Sequence, residues 1–211
     1  MVAGVLAIVP TNLPLSRTAA VAYAAVMEPA PEDTALMLRY IDGDMAAFET
    51  LYRRHNDALY RYLLRRCRHH DNAEDIFQEV WGKIIKARSS YRPTAKFTTF
   101  MYRVAHNCYI DHICRNKRHS HTIDVEPDSY PNPGESPEAL TERGILRRRL
   151  DAAIQELPDE QRDAFLLHQE AGLTVDQIAS VTGSNFETAK SRLRYAVKKL
   201  RAAIDESAEL S

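Results

Sequence analysis

Two helix-start signatures stand ten residues apart in the last fifth of the chain: Thr174-Val-Asp-Gln177 and Ser184-Asn-Phe-Glu187, with Gly183 between them. In each, a hydroxyl and a Gln or Glu side chain three residues later are spaced to satisfy each other's free backbone donors, the capping-box arrangement. Two starts so close leave the first helix only about two turns, and the glycine supplies a stop between them. The second start opens a longer apolar period through Ala189, Leu193, Ala196 or Val197, and Leu200. A short helix, a tight turn and a longer helix form a helix-turn-helix. Just before it, Leu157-Pro158-Asp159 opens a further helix through Phe165 and Leu166, which Gly172 stops.

The second helix of such a pair is the one that enters a major groove, and its charge fits that role. Lys190, Arg194 and Lys198 fall four residues apart, with Arg192, Lys199 and Arg201 beside them and one acid, Glu187, near the start. The early residues are placed to read base edges and the later ones to hold phosphates.

The formal net charge of −1 hides an uneven distribution. Residues 35–120 hold sixteen Lys and Arg against nine Asp and Glu, and residues 143–204 hold eleven against eight. Between them, residues 121–142 hold six acids and no Lys or Arg. Two basic blocks separated by an acidic strip point to an anionic partner, most often nucleic acid. The strip includes four prolines between Glu126 and Pro137 and has no apolar period, so it is a flexible linker. Residues 1–31, rich in Ala, Val and Pro, lack both period and caps and are expected to be a disordered leader, or sequence upstream of a start at Met27.

The N-terminal block carries helical periods and no long Val/Ile/Thr alternation, the mark of strands. Asp44 caps a helix through Phe48, Leu51, Tyr52, Leu59, Tyr62 and Leu63. Asn72 precedes a second, with Ile76, Phe77, Val80, Ile84 and Ile85 inside. Ser89–Lys96 is a loop, and a last helix runs from about Thr98 to Arg115. With 7 glycines in 211 residues, sandwiches, barrels and glycine-rich phosphate loops are disfavoured. The fold class is all-α, two small helical domains.

Two patches of this block bear on function. Asp75, Gln78 and Glu79 share one helix face, an acidic patch in a basic domain, which suits a protein partner better than nucleic acid. Phe97, Phe100, Met101, Tyr102 and Tyr109 alternate with Lys96, Arg103 and Arg115, the mixture that stacks and neutralises single-stranded bases, although such stripes more often build a core.

Metal binding is not expected. Of His106, Cys108, His112 and Cys114, only Cys108 and His112 share a helix face, and a structural zinc site needs about four convergent ligands. Three cysteines make no disulfide framework, which fits a reducing cytoplasm. No catalytic constellation of carboxylates or histidines, no cofactor motif and no small-molecule site is evident.

Five segments in order resemble the extracytoplasmic-function sigma factors of bacterial RNA polymerase, in the sigma-70 family. They are Leu36-x3-Tyr40-x2-Gly43-Asp44-x3-Phe48-x2-Leu51-Tyr-Arg-Arg-His55, Ala73-Glu-Asp-Ile-Phe-Gln-Glu-Val80, Lys96-Phe-Thr-Thr-Phe-Met-Tyr-Arg-Val-Ala-His-Asn107, Leu157-Pro-x3-Arg162 and Thr188-Ala-Lys-Ser-Arg-Leu193. The resemblance implies that Asp75, Gln78 and Glu79 dock on the clamp of the largest polymerase subunit, and that the polymerase flap is contacted as well. It implies that Tyr91, Lys96, Phe97, Phe100, Arg103 and Asn107 recognise and melt the minus-ten element. Thr188, Lys190, Ser191, Arg192, Arg194 and Tyr195 match positions that read the minus-thirty-five element. Glu187 stands where Gly is common and Phe100 where Trp is usual. Partners are then core polymerase, promoter DNA and an anti-sigma factor, and the location is the cytoplasm, on the nucleoid when active. The expected division is a leader (1–31), a region 2-like domain (32–120), a linker (121–142), a region 4-like domain (143–205) and a tail (206–211). A helix-turn-helix regulator with an N-terminal sensing or dimerisation domain is the alternative.

Overall fold

Spacing of apolar residues accounts for the helices of the chain, seen here in a computed structural model that describes residues 32–67, 69–119 and 142–209. The expected leader and nearly all of the expected linker lie outside the described residues. Four helices build a first lobe: α1 (Asp33–Ile41), α2 (Met45–Arg66), α3 (His70–Lys86) and α4 (Phe97–His119), with a 3₁₀ turn at Ala87–Ser90. Four more build a second: α5 (Glu142–Gln155), α6 (Asp159–Gln169), α7 (Val175–Thr182) and α8 (Phe186–Glu209). No strand occurs among the described residues.

In α2 the buried side chains Ala47, Leu51, His55, Leu59, Tyr62, Leu63 and Arg66 recur every three or four residues, one continuous inner stripe. Asp44 caps it as expected, its side chain accepting from the backbone N–H groups of Ala46 and Ala47. The α3 stripe of Ala73, Ile76, Val80, Trp81 and Ile84 packs on α2 and α4. Aromatic rings join the helices: Phe48 meets Tyr40 at 4.7 Å and Trp81 edge-on at 5.8 Å. Each fully buried Leu or Ile here contributes about 1.5–3 kcal/mol through its area removed from water. Two residues expected inside are at the surface, Tyr52 and Ile85. Helix α3 starts two residues ahead of Asn72, at His70, with no side-chain cap.

In the second lobe the first capping box is complete: Gln177 N–H donates to Thr174 Oγ1 at 3.4 Å and Thr174 N–H to Gln177 Oε1 at 2.9 Å. Gly183 closes α7 at φ +63°, a left-handed conformation that costs glycine nothing sterically. The second start shifts by one residue from expectation. Asn185, not Ser184, is the cap, its Oδ1 accepting from Thr188 N–H at 2.8 Å. Ser184 instead bonds the Thr182 hydroxyl at 3.0 Å. That register fixes which residues occupy the outer face of α8. The tail expected at 206–211 is helical as far as Glu209.

The described helices of the two lobes are in contact and belong to one compact unit. Helix α4 packs along α7, and α2 packs against α5 and α6. Asp163 of α6, 2% exposed, lies at the centre of this contact. Tyr62 Oη donates to it at 2.8 Å, His106 Nδ1 lies at 2.8 Å and Arg66 Nε at 3.2 Å. An ionised carboxylate only accepts, so His106 carries its proton on Nδ1. Burial works against the Asp163 charge, but Arg66 and the His106 and Tyr62 hydrogen bonds outweigh it and hold the carboxyl below the usual carboxylate range.

Candidate nucleic-acid interface

The outer side of α8 follows from its inner one. Ala189, Ala196 and Leu200 are buried against α6 and α7, so Lys190, Arg194, Tyr195, Lys198 and Lys199 are turned to solvent. Two of the cations lie by aromatic rings: Lys190 Nζ is 5.6 Å from the Phe186 ring centre and the Arg194 guanidinium 5.1 Å from that of Tyr195. Both rings are themselves exposed, giving a face of apolar edges and charge rather than charge alone. Thr188 and Ser191 are half-buried beside it.

Arg192 differs from its neighbours. It bonds Glu160 on α6 at 2.5 Å and is only 25% exposed, so its charge is already committed to the second lobe. A shallow groove beside it is lined by Gln161, Asn185, Glu187, Thr188, Ser191 and Tyr195. Gln161 and Asn185 are the members that sequence reasoning missed. Gln161 lies on a different helix, 27 residues before Thr188, and Asn185 was hidden by assigning the cap to Ser184. Glu187 Oε1 lies 3.7 Å from Lys190 Nζ on the surface, where it offsets part of the Lys190 charge.

In the first lobe, Lys96, Arg103 and Asn107 are exposed and Phe100 is half-buried against Tyr91 and Phe97. Tyr91 and Phe97 do not lie on that surface. They are 5% and 1% exposed, part of the core with Met101, Tyr102 and Tyr109. Their rings therefore support Phe100 and the start of α4 rather than offering a free face to a base. Periodicity could not show this, because Phe97 and Phe100 lie on adjacent sides of one helix turn. Arg103 Nη2 donates to Ser180 Oγ on α7 at 2.5 Å, so this member of the face is engaged by the other lobe.

The acidic patch divides in the same way. Asp75 and Gln78 are exposed on α3, while Glu79 is half-buried between Lys83 at 2.9 Å and Arg115 at 2.9 Å. Desolvation acts to raise the Glu79 pKa, but those two hydrogen-bonded cations lower it further, so Glu79 is a charged tie between α3 and α4. Gln78 also borders a surface groove with Tyr52, Asn56, Tyr60, Glu74 and Phe77, an apolar floor next to the acids.

Among the described residues no three His, Cys, Asp or Glu side chains converge as metal ligands do. His106 faces Asp163, Cys108 is buried, and His112 lies 2.9 Å from Asn116. Cys67 is buried too, and desolvation pushes its thiol up to about 12, far from the reactive thiolate range. No described helix is long and apolar enough to cross a membrane.

Comparison with known proteins places both lobes. The Sigma-70 region 2 family matches residues 51–119, and the Sigma-70 region 4 family matches residues 147–200. The chain is 29% identical over 170 residues to RNA polymerase sigma factor CarQ of Myxococcus xanthus, covering 81% of this chain and 96% of that protein. It is 28% identical over 179 residues to the ECF RNA polymerase sigma factor SigE of Mycolicibacterium smegmatis, covering 83% and 69%. In fold it resembles the sigma factor RpoE solved with the anti-sigma factor NepR from Bartonella quintana, with a TM-score of 0.62 at 20% identity over 75% of this chain and 96% of that one. It also resembles CnrH solved with the cytosolic domain of CnrY, with a TM-score of 0.61 at 18% identity over 82% and 97%.

Proposed function

Because the chain belongs to the extracytoplasmic-function group of the sigma-70 family, acting with RNA polymerase in transcription initiation, we propose that it directs the polymerase to promoters carrying two separate elements and opens the downstream one. In this reading the second lobe binds the minus-thirty-five duplex. Lys190, Arg194 and Tyr195 reach the major groove from the first turns of α8, with Thr188 and Ser191 between them. The observation that carries the reading is this exposed cationic and aromatic face on the second helix of a helix-turn-helix, within the segment matched to region 4.

The first lobe binds the minus-ten strand through Lys96, Phe100, Arg103 and Asn107. A base leaving the duplex loses its stacking, and a half-exposed ring with neighbouring cations returns about 1–3 kcal/mol of it. Tyr91 and Phe97 set the position of Phe100 from beneath. Asp75 and Gln78 dock on the polymerase clamp, with the Tyr52–Phe77 groove alongside, and Glu79 keeps α3 and α4 in register for that contact. The protein supplies no catalytic group; phosphodiester chemistry belongs to the polymerase. An anti-sigma factor is a further proposed partner, as two proteins of like fold were solved with one.

The test is reconstitution. Purified protein, core polymerase and fragmented genomic DNA should yield transcripts starting at a fixed distance from a shared two-part motif. Permanganate should then mark unpaired thymines at the downstream part. Transcripts that start without such a motif, or duplex binding with no opening, would refute the reading in favour of a plain helix-turn-helix regulator.

A further inference from the structure

A polar chain of contacts leads from the start of α1 to the aromatic row beneath the minus-ten surface. Asp33 Oδ1 accepts from Arg54 Nη1 at 2.5 Å, and Asp33 Oδ2 lies 2.8 Å from His55 Nε2, so one side chain of α1 ties two successive residues of α2. Paired with Arg54, Asp33 is a carboxylate that only accepts, which puts a proton on His55 Nε2. His55 is 9% exposed, and its ring lies 5.6 Å from that of Phe97 at a tilt of 47°. Phe97 in turn lies 6.3 Å from Phe100, which Tyr91 meets edge-on at 5.1 Å. The line ends on the half-buried Phe100 ring, the one assigned above to stack on a base.

An imidazole inside an apolar wall calls for a reason. An aliphatic side chain at position 55 could be buried without a partner, whereas the imidazole is costly to desolvate unless it is hydrogen-bonded. What the imidazole adds is orientation. A ring held by a hydrogen bond at one end has its plane fixed, and the Phe97 ring packed beside it is placed by that plane. A second contact of α1 acts on the other end of the row. Arg88, in the 3₁₀ turn that leads into Tyr91, lies 5.1 Å over the Tyr40 ring of α1. Helix α1 packs on both α4 and that turn.

We infer that Asp33 and His55 are positioning residues for capture of the minus-ten strand. They hold Phe97, and through it the Phe100 ring, in the orientation in which a base leaving the duplex stacks. The inference rests on the promoter reading above and adds to it two residues that touch no DNA, one of them ahead of the segment matched to region 2. Loss of the tie leaves the Phe100 ring present but loosely held. Binding of the unpaired strand then falls, while upstream duplex binding through α8 and polymerase docking through α3 do not.

The test uses holoenzyme assembled from the full chain and core polymerase. The probe is a short single strand bearing the downstream motif mapped by the reconstitution above. Phe100→Ala should weaken strand binding about 5- to 150-fold, the loss of one stacked base. Asp33→Ala should weaken it about threefold or more, with upstream-duplex affinity, core-polymerase affinity and helical circular dichroism level. Asp33→Asn keeps an acceptor for the His55 Nε2–H and should restore wild-type strand binding. In a Phe100→Ala background, Asp33→Ala should cause no further loss, because its effect passes through that ring. A strand affinity unchanged by Asp33→Ala would overturn the inference. So would an equal loss with and without Phe100, or an Asp33→Asn variant as weak as Asp33→Ala. Failure of the promoter reading is distinguishable: the wild-type holoenzyme would then hold the motif strand no better than a scrambled one, which would remove both.

Discussion

Arg192 and Arg194 are two residues apart on α8, and sequence alone assigns both to DNA; the structure separates them. Arg194 is exposed, stacked near Tyr195 and unpaired with any carboxylate in its described contacts. Arg192 is tied to Glu160 at 2.5 Å. Replacing Arg194 with Ala should remove a base-edge or phosphate contact. A lost base contact costs about 1–3 kcal/mol, about 5- to 150-fold in affinity at one or two positions. A lost phosphate contact lowers the slope of log affinity against log salt by about 0.9. Replacing Arg192 with Ala should instead remove an ion pair whose acid is 69% exposed, with about 0.2–1 kcal/mol lost from folding and little from binding. Fluorescence anisotropy on an upstream-element duplex at several salt concentrations measures the first quantity, and urea denaturation the second. Equal loss of salt slope in the two variants would refute the division. It would mean that Arg192 leaves Glu160 on binding and that the ion pair does not decide which cation meets DNA.

Asp75→Lys should weaken binding to core polymerase several-fold with little change in thermal stability, whereas Glu79→Gln should lower the melting temperature first, because Glu79 holds Lys83 and Arg115; calorimetry and a polymerase titration on both variants separate the two roles. Glu187→Gln, which removes the carboxylate beside Lys190 while keeping its shape, should tighten upstream duplex binding a few-fold at low salt, and an unchanged Kd would show that the acid points away from phosphate. Acid should loosen the lobe contact. Asp159 and Asp163 have folded pKa values below their unfolded value of about 3.9, so their contribution is complete above about pH 4 and is lost as pH falls through the folded values. Scattering and thermal melts from pH 7 down to about pH 2 check this: the melting temperature should fall progressively below about pH 4, and a stability unchanged across that acid range would refute it. Asp44→Ala should lower the urea midpoint of unfolding, because the cap of α2 is lost, and an unchanged midpoint would show that the cap adds nothing to stability.

Much of this molecule was written in short-range pattern. Apolar residues at three- and four-residue spacing specify α2, α3 and α8, since a helix with such a stripe must bury it. The Thr174–Gln177 box and Gly183 specify the break between α7 and α8 because their hydrogen bonds and left-handed φ are local. Lys190 and Arg194 follow from that register, as their exposure needs only the knowledge that Ala189 and Ala196 face inward. What only tertiary structure decided involves partners far apart in the chain. The burial of Phe97 and Tyr91, the Glu160 tie on Arg192 and the capture of Arg103 by Ser180 each depend on a second element. Asp163 is the clearest case. In sequence it is one more acid on an amphipathic helix, and its partners Tyr62 and His106 are 101 and 57 residues away. No periodicity encodes such a meeting. It arises because a buried charge is stable only where several separate helices deliver donors to the same point.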